Sequence, residues 1–201
     1  MKVACAALTF AMAMLISPLL SAHFVLLEPA AWLVTNERGD PQKLGPCGGT
    51  SADPGTPSHI IGKAQGGSTL HLKVKETIFH PGHYRVALAV NSRSELPPDP
   101  EVVTRDSERG PWSVSSPIMN PVKAPVLADG LFVHTTKPTD VFEADIVLPN
   151  INCEKCTLQV VQFMAEHGYN KDGGYFYHHC ADLSITANAA EPIDTNWPAS
   201  R

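Results

Sequence analysis

Ser68-Thr69-Leu70-His71-Leu72-Lys73-Val74-Lys75 carries the clearest signature of the fold class. Leu70, Leu72 and Val74 alternate with His71, Lys73 and Lys75, so one face is apolar and the other wet. That period of two predicts a β-strand half-buried on a core. Gly66-Gly67 ahead of it is a turn signal. Behind it come Glu76-Thr77 and then His80-Pro81-Gly82-His83, where Pro-Gly forces the chain to turn. Tyr84 to Val90 then reads as the next strand, which leaves His80 on a loop between two strands. Loops carried by a rigid sheet are where binding and catalytic residues concentrate.

Outward from this pair, the same pattern recurs in short pieces. His23-Phe24-Val25-Leu26-Leu27 reads as a first strand, closed by Glu28-Pro29. Residues 30–57 read as a long loop centred on Gly45-Pro46-Cys47-Gly48-Gly49. A loop of that length in a compact domain is functional or tied down, and a disulfide from Cys47 would tie it. Residues 91–126 are Pro-rich, charged and aperiodic, which predicts a surface excursion with one short element, mobile over 105–110. Further strands are expected at 131–134, 141–148, 156–164 and 175–186, with a turn at 170–174. Seven or eight strands and no sustained helical period predict an all-β, immunoglobulin/fibronectin III-like antiparallel β-sandwich with long loops. An eight-stranded barrel is the alternative. The sandwich spans 23–187, and residues 188–201 form a polar, flexible tail.

Met1-Lys2, the apolar run to Leu20 and the small pair Ser21-Ala22 form a signal-peptide pattern over 1–22, cut after Ala22. Leu20 is bulkier than usual for its place before the cut, but Pro18 breaks the run and no stop-transfer charges follow. The mature chain is thus expected to be secreted or periplasmic and to start at His23. Cys5 leaves with the leader, so Cys47, Cys153, Cys156 and Cys180 remain. An even count in an exported chain favours disulfides, and four cysteines allow three pairings. Cys47–Cys180 with Cys153–Cys156 is preferred. The alternative for Cys153-Glu154-Lys155-Cys156, a zinc half-site or redox pair, wants a second closely spaced pair that Cys47 and Cys180 do not make. The formal net charge is −5 with no basic run, which argues against a nucleic-acid or anionic-membrane partner. No paired carboxylates at readable spacing suggest a hydrolase, and no Gly-x-Ser-x-Gly occurs.

Nine histidines are present. His59 and His134, near strand edges, and His71, on a wet strand face, read as structural. His178 and His179 are neighbours on a strand, so they face opposite sides. His23 is different. An N-terminal histidine offers a metal its α-amine and a ring nitrogen, and one more imidazole completes a flat three-nitrogen set suited to Cu(II). His80 and His83 compete for that second place. The residues alone leave the choice open, beside the plainer reading of a turn held by imidazole hydrogen bonds.

A leader ending at a histidine, Gly45-Pro46-Cys47-Gly48-Gly49, Glu76-Thr77-x-x-His80-Pro81-Gly82-His83-Tyr84-Arg85, and Tyr177-x-x-Cys180-Ala181-Asp182 together resemble the lytic polysaccharide monooxygenases. The nearest likeness is to bacterial secreted proteins of this type sometimes labelled chitin-binding. The resemblance implies a copper histidine brace of His23 and His80, with His83 as the alternative ligand. It implies Tyr177 at the axial position, His167 as a neighbouring histidine of the site, and a bond from Cys47 to Cys180. Where fungal members carry a glutamine two residues before the tyrosine, this chain has Tyr175, so their proton-handling set is not reproduced in full. The activity implied is copper-dependent oxidative cleavage of a polysaccharide by a monomer fed by an external electron donor. The alternative is a non-catalytic copper-binding or transfer protein with a copper-handling partner. Trp32, Trp112 and Phe132 are the aromatics that could meet a glycan surface.

Overall fold

A computed structural model of the 201-residue chain describes residues 23–198. The expected leader over 1–22 and its Cys5 lie outside the described residues, as do residues 199–201. The rest is an all-β sandwich. One layer is the three-stranded sheet β1 (His23–Glu28), β5 (Thr69–Ile78) and β10 (Phe142–Val147), with β5 in the middle. The other is five-stranded, in the order β4 (Ile61–Gln65), β12 (Phe176–Thr186), β11 (Cys153–Met164), β6 (Gly82–Ala89) and β9 (Val126–His134). Neighbours are antiparallel except β4, which runs parallel to β12. Two short pairs, β2 (Leu33–Val34) with β3 (Thr56–Pro57) and β7 (Val103–Arg105) with β8 (Trp112–Ser115), lie in the long loops.

The core follows from the alternation. Leu72 and Val74 of β5 point inward with Phe24 and Leu26 of β1, against Tyr84, Val86 and Leu88 of β6, Leu158 and Val160 of β11, and Tyr177 and Ala181 of β12. Burying such side chains is worth roughly 1.5–3 kcal/mol each. The central strands β6, β11 and β12 lack clean alternation because their outer face is buried too. Segment 91–125 lies across it, with Arg85 donating to the Pro98 carbonyl at 3.0 Å. This segment carries a 3-10 turn at Arg93–Glu95 and the β7–β8 pair, more structure than the one short element expected of it. Strand β9 starts at Val126, five residues before the 131–134 expected, and its register against β6 shifts repeatedly. Gly130 and a left-handed Phe132 (φ 53°) sit within it, which broke the sequence pattern.

Cys47 and Cys180 are bonded, joining the 30–57 loop to β12 across a Cα separation of 5.0 Å. Cys153 and Cys156 are bonded at the start of β11, where its register against β12 shifts. Residues 188–197 run back over the sandwich. Asn150 Nδ2 donates to the carbonyls of Asn188, Glu191 and Pro192, and Trp197 packs on the core with Nε1 3.4 Å from the Leu88 carbonyl.

Candidate metal centre

One end of the sandwich gathers imidazoles. His23 opens β1 and is the register partner of Ile78, the last residue of β5. Two residues on, the turn 79–81 carries His80, so strand pairing alone brings the two histidines to one corner. Gly82 is needed there, because a Cβ would collide with the Phe163 carbonyl. The Ala165 N–H donates to the Pro81 carbonyl at 2.7 Å and fixes the turn.

His23 is 5% exposed. Its Nε2 lies 3.0 Å from Oδ2 of Asp40, a residue the sequence reading passed over. The hydrogen bond from His23 holds the Asp40 carboxyl below its ordinary range, against the effect of burial. Asp40 is aimed by its neighbours. Gly39, at φ 97°, lies so close under the Phe24 carbonyl that no Cβ would fit. Gln42 accepts the Phe24 N–H at 3.1 Å and donates to the Arg38 carbonyl. A carboxylate on one ring nitrogen of a histidine sets the tautomer and the orientation of the ring.

His80 is 4% exposed and its Nδ1 is buried with no hydrogen-bond partner. Burial, and then the neighbouring His167 and His23, push its pKa down to about 4. The Ile78 carbonyl pulls the other way, without a hydrogen bond of normal geometry to the ring. His80 is therefore neutral at neutral pH, the state in which an imidazole ligates metals. The His167 ring stands edge-on to it at 4.8 Å. His167 lies in the turn beyond β11 and is held by β8: the Ser113 N–H donates to the His167 carbonyl at 2.9 Å, the Ser113 hydroxyl accepts the His167 N–H at 3.0 Å, and that hydroxyl donates to the Met164 carbonyl at 2.7 Å. The long excursion thus supplies the strap that fixes His167. Tyr177, fully buried, sets its ring edge-on to His23 at 5.3 Å, with its hydroxyl 3.4 Å from Asn170 Nδ2.

The structure therefore brings His23, His80, His167 and Tyr177 to one corner. It does not bring His83 there. His83 lies on the other face of β6 from Tyr84, its ring 5.2 Å from Phe163. Gln162, another residue the sequence reading missed, is the register partner of Tyr177 and donates to Glu76 at 2.7 Å. Its place beside Tyr177 comes from pairing with the adjacent strand, which sequence spacing does not reveal. His134 also proves more than a strand-edge residue, since its Nε2 faces the buried Glu76 at 3.3 Å. Trp32, Trp112 and Phe132 are each partly buried: Trp32 under the Arg93 guanidinium, Trp112 on Gly168, and Phe132 stacked on Phe142. Tyr169, 65% exposed, is the aromatic presented beside this corner.

Among the described residues, no group of three or more His, Cys, Asp or Glu side chains is arranged to hold a metal ion. A site built from two imidazoles and an α-amine contains only two such side chains. Its donor chemistry fits what is present: a buried neutral imidazole with an unmet nitrogen, and a second imidazole oriented by a carboxylate.

No protein-family signature matches the chain, and no curated protein matches it. Among solved structures it is similar to a glycoside hydrolase family 61 member, Cel61B from Hypocrea jecorina, at 12% identity and a TM-score of 0.37. The match covers 73% of this chain and 60% of that one. A likeness that slight carries no argument, so the reading of the site rests on this chain's own residues.

Proposed function

We propose that this chain is an exported histidine-brace protein that takes copper at His23 and His80 and oxidatively cleaves a polysaccharide. The observation that carries the reading is the buried, neutral His80 with its unpartnered Nδ1, set at the same corner as the Asp40-oriented His23. In a chain that begins at His23, the α-amine and Nδ1 of that residue form one chelate and His80 adds the third nitrogen. Copper so held supplies one-electron chemistry and activation of oxygen or peroxide. The chain supplies the rest. Asp40 fixes the tautomer of His23. Tyr177 closes one side of the corner, and its burial keeps bulk water from that side. His167 sets a second ring nitrogen near His80, in place to hold a proton. Tyr169 offers an exposed ring to a sugar face. The external electron donor, the secreted or periplasmic location and the monomeric state belong to the same reading.

Intact-mass measurement of the exported protein tests the start at His23. Copper titration and product mass spectrometry on chitin, cellulose and other glycans, with reductant and peroxide, test the activity. An N-terminally extended form, its amine blocked, is the control. Oxidised fragments from the wild type alone are the expected result. The second reading is copper binding or transfer without catalysis. The packing of Trp32, Trp112 and Phe132 into the fold favours it, because that leaves fewer rings to meet a glycan. Tight copper binding with no oxidised product across the glycan panel would establish it over the first.

A further inference from the structure

Beneath the histidine corner lies a buried ion pair that the proposed chemistry does not use. Glu76 continues the inward stripe of β5 after Leu72 and Val74, and its side chain is 1% exposed. A carboxylate in that position needs partners, since burying an unpaired charge is costly. Its Oε1 accepts from Gln162 Nε2 at 2.7 Å and from the backbone N–H of His80 at 3.3 Å. His134 Nε2 stands 3.3 Å from both of its oxygens. The other ring nitrogen of His134 faces the Phe132 carbonyl at 2.7 Å. Both nitrogens face acceptors, and only the imidazolium can donate to both. With both oxygens of Glu76 within reach of Nε2, His134 is the group that balances it. Phe132 reaches this arrangement through a left-handed backbone that bulky residues avoid, with its ring stacked on Phe142. Strain at Phe132 is what turns its carbonyl onto His134.

We infer that Glu76, charge-balanced by His134, is a positioning residue that holds the His80 turn by its backbone N–H and so sets where the His80 imidazole sits. The inference rests on the copper reading for its consequence, but its geometry stands without metal. Glu76 is tied at the same time to β11 through Gln162 and to β9 through His134. The turn that carries His80 is thereby fastened to both sheets rather than hinging at Pro81-Gly82.

Two double variants test it. Glu76→Leu with His134→Leu removes the acceptor and both charges together, and apolar replacement of a whole buried pair commonly preserves folding. Glu76→Gln with His134→Gln keeps a neutral acceptor for the His80 N–H. Without metal, the His80 amide is expected to exchange about 10-fold or more faster in the Leu pair than in the wild type, and to stay protected in the Gln pair. With Cu(II), the Leu pair is expected to lose about 10- to 100-fold in affinity and to show an altered paramagnetic resonance spectrum. The Gln pair should recover most of that loss at an unchanged spectrum. An equally protected His80 amide in the folded Leu pair, or wild-type copper affinity and spectrum there, overturns the inference. Should the Leu pair fail to fold, the Gln pair decides alone, and loss of His80 amide protection in it overturns the inference. A wild type that binds no copper through His80, while the amide results come out as expected, overturns the copper reading and leaves the positioning role standing.

Discussion

His80 and His178 are both buried imidazoles beside long loops, yet their surroundings are opposite. His178 lies on the outer face of β12, wholly buried. Its Nδ1 faces the Lys43 carbonyl at 3.1 Å and its Nε2 faces the Asp99 carboxylate at 2.9 Å. Every polar capacity of that ring is met, and it clamps two long loops, 30–57 and 91–125, to the sheet. His80 has an unmet Nδ1, other imidazoles for neighbours and no carboxylate on its ring. Burial is common to both. What separates a clamp from a candidate ligand is whether the fold has already used the ring nitrogens.

Exchanging each for alanine should separate the two regions most sharply. His178→Ala empties a wholly buried site and removes the ring that bridges the Lys43 carbonyl and Asp99, and is expected to lose about 2–5 kcal/mol of stability, with copper affinity unchanged. His80→Ala is expected to do the reverse: a small change in stability and a loss of copper affinity of about 100-fold or more. Thermal melts and copper titration on the same samples check both. Copper affinity lost in His178→Ala and kept in His80→Ala would invert the assignment.

The loop that His178 clamps is also bonded covalently. Replacing Cys47 and Cys180 together by alanine should cost roughly 2–5 kcal/mol in denaturant unfolding. The loop carries Asp40, so copper affinity should weaken as well. A variant as stable as the wild type would show that the His178 clamp alone suffices.

Acid should distinguish the corners next. His80 and the fully buried His179 both have pKa values pushed by burial to about 4, from an ordinary value near 6.5. The unfolded chain then binds more protons than the folded one between pH 6.5 and 4. The stability these groups contribute is complete above pH 6.5 and is lost as pH falls through that window. His134 acts oppositely. Burial lowers its pKa, but the hydrogen bonds it donates to Glu76 and to the Phe132 carbonyl outweigh that and raise it. Its contribution is complete below the unfolded value and is lost as pH rises through the folded one. His80 and His179 together account for a loss of roughly 5 kcal/mol from pH 6.5 to 4, which His134 offsets only in small part, read from melts of the metal-free protein. His179→Gln should flatten that slope, and an unchanged slope would remove His179 as a cause.

The smallest effect is expected at His83, which competed with His80 in the sequence. Facing Phe163 on the other side of β6, it is out of place for a ligand. His83→Ala should change copper affinity by less than about twofold, the scale of a residue outside the site.

Glu76 shows how much of this was legible in the chain. The stripe Leu70, Leu72, Val74 points to the core, and the next position in that stripe is a carboxylate. The sequence reading closed the strand at Lys75, one residue short of this charge, whereas β5 runs on to Ile78. Nor could that reading name the partner, because His134 arrives from β9 after a backbone kink at Phe132 and Gln162 from the middle of β11. Asp40 was less legible still, one acid in a loop with no periodicity. The His178 clamp was half legible: alternation separated it from His179, while its partners came from two loops without pattern.

Alternation and turn residues are local, so the sequence alone marked β1, β5, β6, β10, β11 and β12, but not β4 or the first half of β9. It also determined the apolar core and the pair of candidate histidines at the start of one strand and the end of another. It took the closing of the two sheets to pair His23 with Ile78 in register, to turn His80 and not His83 to that corner, and to match each carboxylate with its imidazole. The physical reason is separation along the chain. A ring nitrogen is satisfied or left open by groups tens of residues away, and those are brought to it only when two sheets close on one core.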